Sequence, residues 1–168
     1  VIIPTYNEIE NIQRMLDAVM ALEPSFDVLV VDDGSPDGTA GIVKENQATY
    51  PHRVHLLQRT GKLGLGTAYI AGFKWALEKD YGLIYEMDFD FSHNPHDLIQ
   101  LREACVEGAD VAVGSRYVKG GGVSDWPLGR ILMSYLASVY VNSILWLGVK
   151  DSTAGFKCYR KEVLQRID

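Results

Sequence analysis

Apolar residues recur along this chain in short runs separated by longer stretches of mixed character. Runs at residues 1–4, 28–31, 54–57, 83–87 and 111–113 are short enough for buried strands and are rich in Val, Ile and Leu. Between them the apolar positions take a helical spacing. Ile9, Ile12, Met15, Leu16, Val19 and Met20 fall on one face, with Asn7 and Glu10 at capping-box spacing before them. Ser35-Pro36 has the chemistry of a second helix start, with Pro at the first position. Leu65, Ala68, Gly72, Trp75 and Lys79 trace a third helix, and Asn94-Pro95 opens a fourth that runs to about Glu107.

Four strand-then-helix units predict an α/β fold with a mostly parallel sheet covered on both faces. In such sheets ligands sit at the carboxyl ends of the strands. Polar residues cluster at those ends: Pro4-Thr5-Tyr6-Asn7-Glu8, Asp32-Asp33, Asp88-Phe89-Asp90 and Ser115-Arg116-Tyr117. Gly120-Gly121-Gly122 suits a mobile loop beside a site.

Residues 131–149 lack Asp, Glu, Lys and Arg, but Ser134, Ser138, Asn142 and Ser143 interrupt them. The readings in order are a largely buried or partner-covered helix, an interfacial helix, and a membrane span.

Length narrows the organisation: 168 residues make one domain. The chain opens inside a strand at Val1 without a signal-peptide pattern and stops at Asp168, so it reads as a domain truncated at both ends. With 16 Lys plus Arg against 22 Asp plus Glu, the net charge of −6 argues against nucleic-acid partners. Cys105 and Cys158 have no zinc-type spacing and fit a reduced compartment better than a disulfide framework.

Candidate chemistry follows from these strand ends. In Asp88-x-Asp90, alternate residues of an extended segment point the same way, so two carboxylates can face one Mg²⁺ or Mn²⁺ ion. Two solvated loop acids are the plainer alternative. The acids of Asp32-Asp33-Gly34-Ser35 can accept from ribose hydroxyls or base N–H groups, or simply close a helix-capping turn. Gly61-Lys62-Leu63-Gly64-Leu65-Gly66 opens a helix without Walker spacing and reads first as a turn. Arg116 and Arg130 suit phosphate, with Ser134 one turn beyond Arg130, although ordinary surface arginines have the same spacing. His93 and His96 flank a proline, which argues against a shared metal.

Taken together, Pro4 to Glu8, the run Val31-Asp32-Asp33-Gly34-Ser35-Pro36-Asp37-Gly38-Thr39, Gly61 to Tyr69, Met87-Asp88-Phe89-Asp90-Phe91-Ser92-His93 and Ser115-Arg116-Tyr117 resemble the dolichyl- or polyprenyl-phosphate mannosyltransferases. These are family 2 glycosyltransferases of the GT-A fold. The resemblance implies that Pro4, Tyr6, Glu8, Val31 and Asp33 line a guanosine site. Met87, Asp88, Phe89 and Asp90 would border the diphosphate, with Asp88 and Asp90 on the metal and Ser92 where some relatives place a third ligand. Arg116, Arg130 and Ser134 match positions that hold donor or acceptor phosphate. Asp151-Ser152-Thr153-Ala154-Gly155-Phe156-Lys157 resembles a family loop that usually ends in Arg.

The implied activity is metal-dependent, inverting transfer of mannose from GDP-mannose to a polyprenyl phosphate, by a protein meeting the cytosolic face of a membrane. Asp88, Asp90, Arg116 and Arg130 would be its catalytic set. A UDP-sugar transferase of the same fold and a non-catalytic sugar-nucleotide-binding module are the alternatives.

Overall fold

The computed structural model describes residues 1–89, 91, 93–115, 128–146, 151 and 153–167; of residues 128, 130–132, 135 and 145 it describes the backbone alone. Among the described residues six strands form one sheet: β1 (Ile2–Thr5), β2 (Val28–Asp32), β3 (Val54–Gln58), β4 (Leu83–Glu86), β5 (Val111–Val113) and β6 (Lys157–Arg160). Their order across the sheet is β3-β2-β1-β4-β6-β5. The pairs β1–β2, β2–β3 and β1–β4 are parallel.

The expected α/β architecture is present, with one addition. The sequence reading ends a loop at Lys157 and assigns no element to residues 158–160, but Lys157–Arg160 is a strand inserted antiparallel between β4 and β5. Tyr85 pairs with Cys158 on one side, and Ala112 pairs with Cys158 on the other.

Helices α1 (Ile12–Met20), α2 (Thr39–Thr49), α3 (Leu65–Leu77), α4 (Asp97–Val106), α5 (Leu128–Leu145) and α6 (Lys161–Leu164) complete the described elements. Side chains leave a strand alternately to opposite faces, and the core divides accordingly. Ile3, Val28, Val30, Tyr85, Met87 and Cys158 meet α1 and α4 through Ile12, Met15, Leu16, Leu98 and Cys105. On the other face Ile2, Leu29, Val31 and Ile84 meet α3 through Ala68, Tyr69 and Ala76. All five residues of β2 are buried, which is why that strand shows no polar alternation.

Two predicted helix starts fall elsewhere. Asn7 and Glu10 do not box a helix: Asn7 has φ +59°, and α1 begins only at Ile12. Nor does Ser35-Pro36 open a helix, since α2 begins at Thr39. The side chains that fitted capping are used across space. Ser35 Oγ, Thr39 Oγ1 and Asp37 Oδ2 accept the consecutive backbone N–H groups of Asn7, Glu8 and Ile9, each at 3.0 Å. One loop thereby straps the other.

Helix α5 is not largely buried within this chain, which leaves the partner-covered half of the leading expectation and the interfacial reading. Met133, Leu136, Tyr140 and Ile144 are exposed, whereas Ser138 is buried. Among the described residues no helix is long and apolar enough to cross a membrane. The Gly120–Gly122 segment lies outside the described residues.

Candidate active site

The strapped loop and the glycine-rich segment enclose a small cavity at the carboxyl ends of β1 and β2. Its volume is about 180 Å³, and it is lined by Pro4, Thr5, Tyr6, Asp33, Lys62, Gly64, Leu65 and Ala68. The Lys62 ammonium lies 4.6 Å from the centre of the Tyr6 ring, within cation–π range.

Asp33 is buried and holds the far wall. Its Oδ1 accepts from Arg59 Nε at 2.6 Å in a salt bridge, and its Oδ2 accepts the Leu63 N–H at 3.1 Å. Arg59 also donates to Thr67 Oγ1 and the Gly64 carbonyl. One ion pair therefore fixes the glycine-rich segment against the end of β2. A carboxylate has about four lone-pair positions, so Asp33 keeps acceptor capacity toward the cavity it lines. Its neighbour Asp32 turns inward and closes its own turn by accepting from the Ser35 N–H and hydroxyl and from Thr5 Oγ1. Of the two acids, only Asp33 lines the cavity.

The end of β4 brings Asp88 to the same edge. Met87 and Phe89 point into the core beside Leu98 and Phe156, so what they can offer a ligand is main chain. Val31 is likewise fully buried. Asp88, between Met87 and Phe89, leaves the strand on the α3 side. Its Oδ1 accepts the Tyr69 hydroxyl at 2.9 Å. A β-carbon at residue 155 would lie 3.1 Å from Asp88 Cγ and closer still to Oδ2, so Gly155 leaves room for this carboxylate. Asp90, Ser92 and Arg116 lie outside the described residues, as does the side chain of Arg130.

The backbone of Arg130 belongs to the first turn of α5, one turn before Ser134. Ser134 Oγ lies 2.9 Å from Thr153 Oγ1, and Thr153 in turn donates to Asp151 Oδ1. Thr153 is two residues from the glycine that abuts Asp88, so the start of α5 and the acidic strand end share one connecting segment. Glu8, by contrast, sits on the strapped loop, where its Oε2 accepts weakly from Asn11.

Arg59 was not singled out from sequence, and Tyr69 and Gly155 were quoted only as members of the Gly61–Tyr69 and Asp151–Lys157 runs, without a role of their own. Tyr69 carried a usable signal. It falls on the buried face of the third predicted helix, and a buried tyrosine hydroxyl needs a partner. Arg59 and Gly155 gave none, because their partners are distant in the chain.

A mostly parallel sheet flanked by helices, with a cavity beside β1 and β2 and Asp88 just after β4, has the architecture of the GT-A nucleotide-sugar transferases. The comparisons narrow this class. The model for glycosyl transferase family 2 matches residues 1–168, and the chain belongs to that family. It is 49% identical over 168 residues to a polyprenol monophosphomannose synthase of Mycolicibacterium smegmatis, spanning all of this chain and 63% of that protein. It is 48% identical over 167 residues to an undecaprenyl-phosphate mannosyltransferase of Micrococcus luteus, covering 99% of this chain and 68% of that protein. Among solved structures, a mannosyltransferase of Pyrobaculum calidifontis in complex with GDP-mannose and Mn²⁺ superposes with a TM-score of 0.65. That match covers 99% of this chain and 45% of the other at 18% identity, and it shows the shared fold.

Proposed function

We propose that this chain is the catalytic domain of an enzyme that transfers mannose from GDP-mannose to a polyprenyl monophosphate with inversion. The observation that carries this reading is the near-50% identity, over the whole chain, to relatives named for polyprenyl-phosphate mannosyl transfer. The cavity beside Tyr6, Lys62 and Asp33 takes the nucleoside, with Pro4 and Glu8 on its loop and Val31 contributing main chain.

Asp88 and Asp90 hold a divalent cation, with Ser92 beside them. The donor chemistry fits: Asp88 is a half-buried carboxylate with one hydrogen bond from Tyr69 and lone pairs to spare, and oxygen donors suit Mg²⁺ or Mn²⁺. When bound, the cation neutralises charge on the departing diphosphate.

Arg116, Arg130 and Ser134 hold the acceptor phosphate in line with the anomeric carbon. A phosphate oxygen forms the new bond to that carbon as the bond to the GDP oxygen breaks, and GDP leaves. A phosphomonoester has a second pKa of roughly 6. The nucleophile therefore arrives already deprotonated, and the protein's task is placement. The acceptor is a lipid, so the domain works at a membrane surface. The exposed apolar side of α5 is the side we assign to that contact.

The test supplies Mn²⁺, undecaprenyl phosphate, and either GDP-mannose or UDP-glucose, and follows the glycosyl lipid. Mannosyl lipid is expected from GDP-mannose only, with Asp88→Ala lowering turnover at least about 100-fold. Transfer from UDP-glucose alone would replace this reading with that of a UDP-sugar enzyme. Nucleotide-sugar binding without transfer would leave a binding module.

A further inference from the structure

The acidic side chain at the end of β4 is constrained from two directions, and neither constraint belongs to the acidic motif. Tyr69 comes from α3, 19 residues earlier, and gives Asp88 Oδ1 its hydroxyl hydrogen at 2.9 Å. Gly155 comes from the segment leading into β6 and lies against the Oδ2 side, where any β-carbon would displace the carboxylate. We propose that Tyr69 is a positioning residue for metal capture. Its hydroxyl and the clearance at Gly155 together fix the orientation of the Asp88 carboxylate, so that the cation meets it without a rotamer search.

The placement of Tyr69 is itself well determined. The residue is 8% exposed, and its ring stacks on Phe73 at 6.3 Å, which in turn meets Tyr159 edge-on at 5.7 Å. Tyr159 donates to Glu86 Oε1 at 3.0 Å, and Glu86 Oε2 receives Lys157 Nζ at the same distance. Glu86 and Asp88 are two positions apart and lie on one side of the chain. Tyr69 and Tyr159 thus give each acid one phenol, and the aromatic stack between them ties the two contacts together.

A tyrosine hydroxyl occupies one lone pair of Oδ1 and leaves the others open. That is the chemistry of an outer partner that orients a ligand without competing for the ion. Removing such partners commonly costs 10–100-fold in metal affinity.

The proposal rests on the reading that Asp88 takes the cation, and the experiment separates the two. Mn²⁺ is titrated in the presence of GDP, and binding is followed by calorimetry and by the paramagnetic signal of free Mn²⁺. Thermal melting and metal-free GDP binding are recorded alongside. Tyr69→Phe keeps the ring and is expected to weaken Mn²⁺ binding about 10-fold, with GDP binding unchanged. Gly155→Ala, reaching the same carboxylate from the other side, is expected to weaken Mn²⁺ binding too. Val43→Ala thins the core under α2, away from the aromatic stack; it is expected to lower the melting temperature and leave Mn²⁺ affinity near wild type. Wild-type Mn²⁺ affinity in Tyr69→Phe, with affinity lost in Asp88→Ala, overturns the role of Tyr69 alone. Wild-type affinity in Asp88→Ala overturns the metal reading and this proposal with it.

Discussion

Asp37 shows how much one half-buried carboxylate can organise. It accepts from the Thr39 hydroxyl at 2.7 Å, the Thr39 N–H at 2.9 Å and the Ile9 N–H at 3.0 Å. Partial desolvation pushes its carboxyl upward, but the hydrogen bonds from Thr39 and Ile9 outweigh it and hold the group below the ordinary range. A depressed folded pKa means the stabilisation is complete above the unfolded value, near about 3.9, and is lost as pH falls through the folded one. Wild-type protein should therefore lose urea stability below about pH 4 by an increment that Asp37→Asn lacks. Parallel acid limbs in the two proteins would show that the strap contributes nothing through charge. The strap itself was not legible from sequence, although each of its residues was. Ser35 and Asp37 have the chemistry of a helix start, and nothing local says that their oxygens are used by Asn7 and Ile9, 28 residues earlier.

Among the elements, α3 does most to build the site, because it carries Tyr69 and follows the glycine-rich segment. Gly72 sets its height. A β-carbon there would come within 2.5 Å of Ile2 Cγ2 on β1. Gly72→Ala should destabilise the protein by about 1–3 kcal/mol through overpacking, read from the urea midpoint. It should also lengthen the Tyr69–Asp88 contact, so Mn²⁺ affinity falls with stability. An unchanged midpoint would mean that α3 can lift at no cost. The strands ending in Asp33 and Asp88 were readable as apolar runs closed by acids, and α3 by its spacing. β6 was not. Lys157-Cys158-Tyr159-Arg160 is too short and too charged to read as a strand, and it becomes one only because β4 and β5 offer hydrogen bonds on both sides. Local propensity cannot show a pairing between residues more than 70 positions apart.

Across the whole molecule, the feature that stands apart is the outward apolar side of α5. Ser134, Ser138 and Asn142 bond within the helix or to Thr153, whereas Met133, Leu136, Tyr140 and Ile144 face out. An acidic protein with net charge −6 gains little attraction from anionic lipid, so contact through this helix must come from apolar insertion. The protein should cosediment with neutral phosphatidylcholine vesicles, with little dependence on salt. Burial of one such side chain is worth about 1.5–3 kcal/mol, so Leu136→Ser should weaken partitioning about tenfold or more. Binding that requires anionic lipid, or that ignores Leu136→Ser, would remove α5 from the contact.

The strand inserted between β4 and β5 also sets an order of assembly. A ribosome releases the amino-terminal end first, so the strand that joins these two is the last of the six to emerge. Until then β5 has no neighbour, β4 presents an open edge to other chains, and the glycine that clears space for Asp88 is absent. The acidic centre is thus completed only after residues 155–160 have emerged, and a chain stalled before residue 157 exposes an unpaired edge.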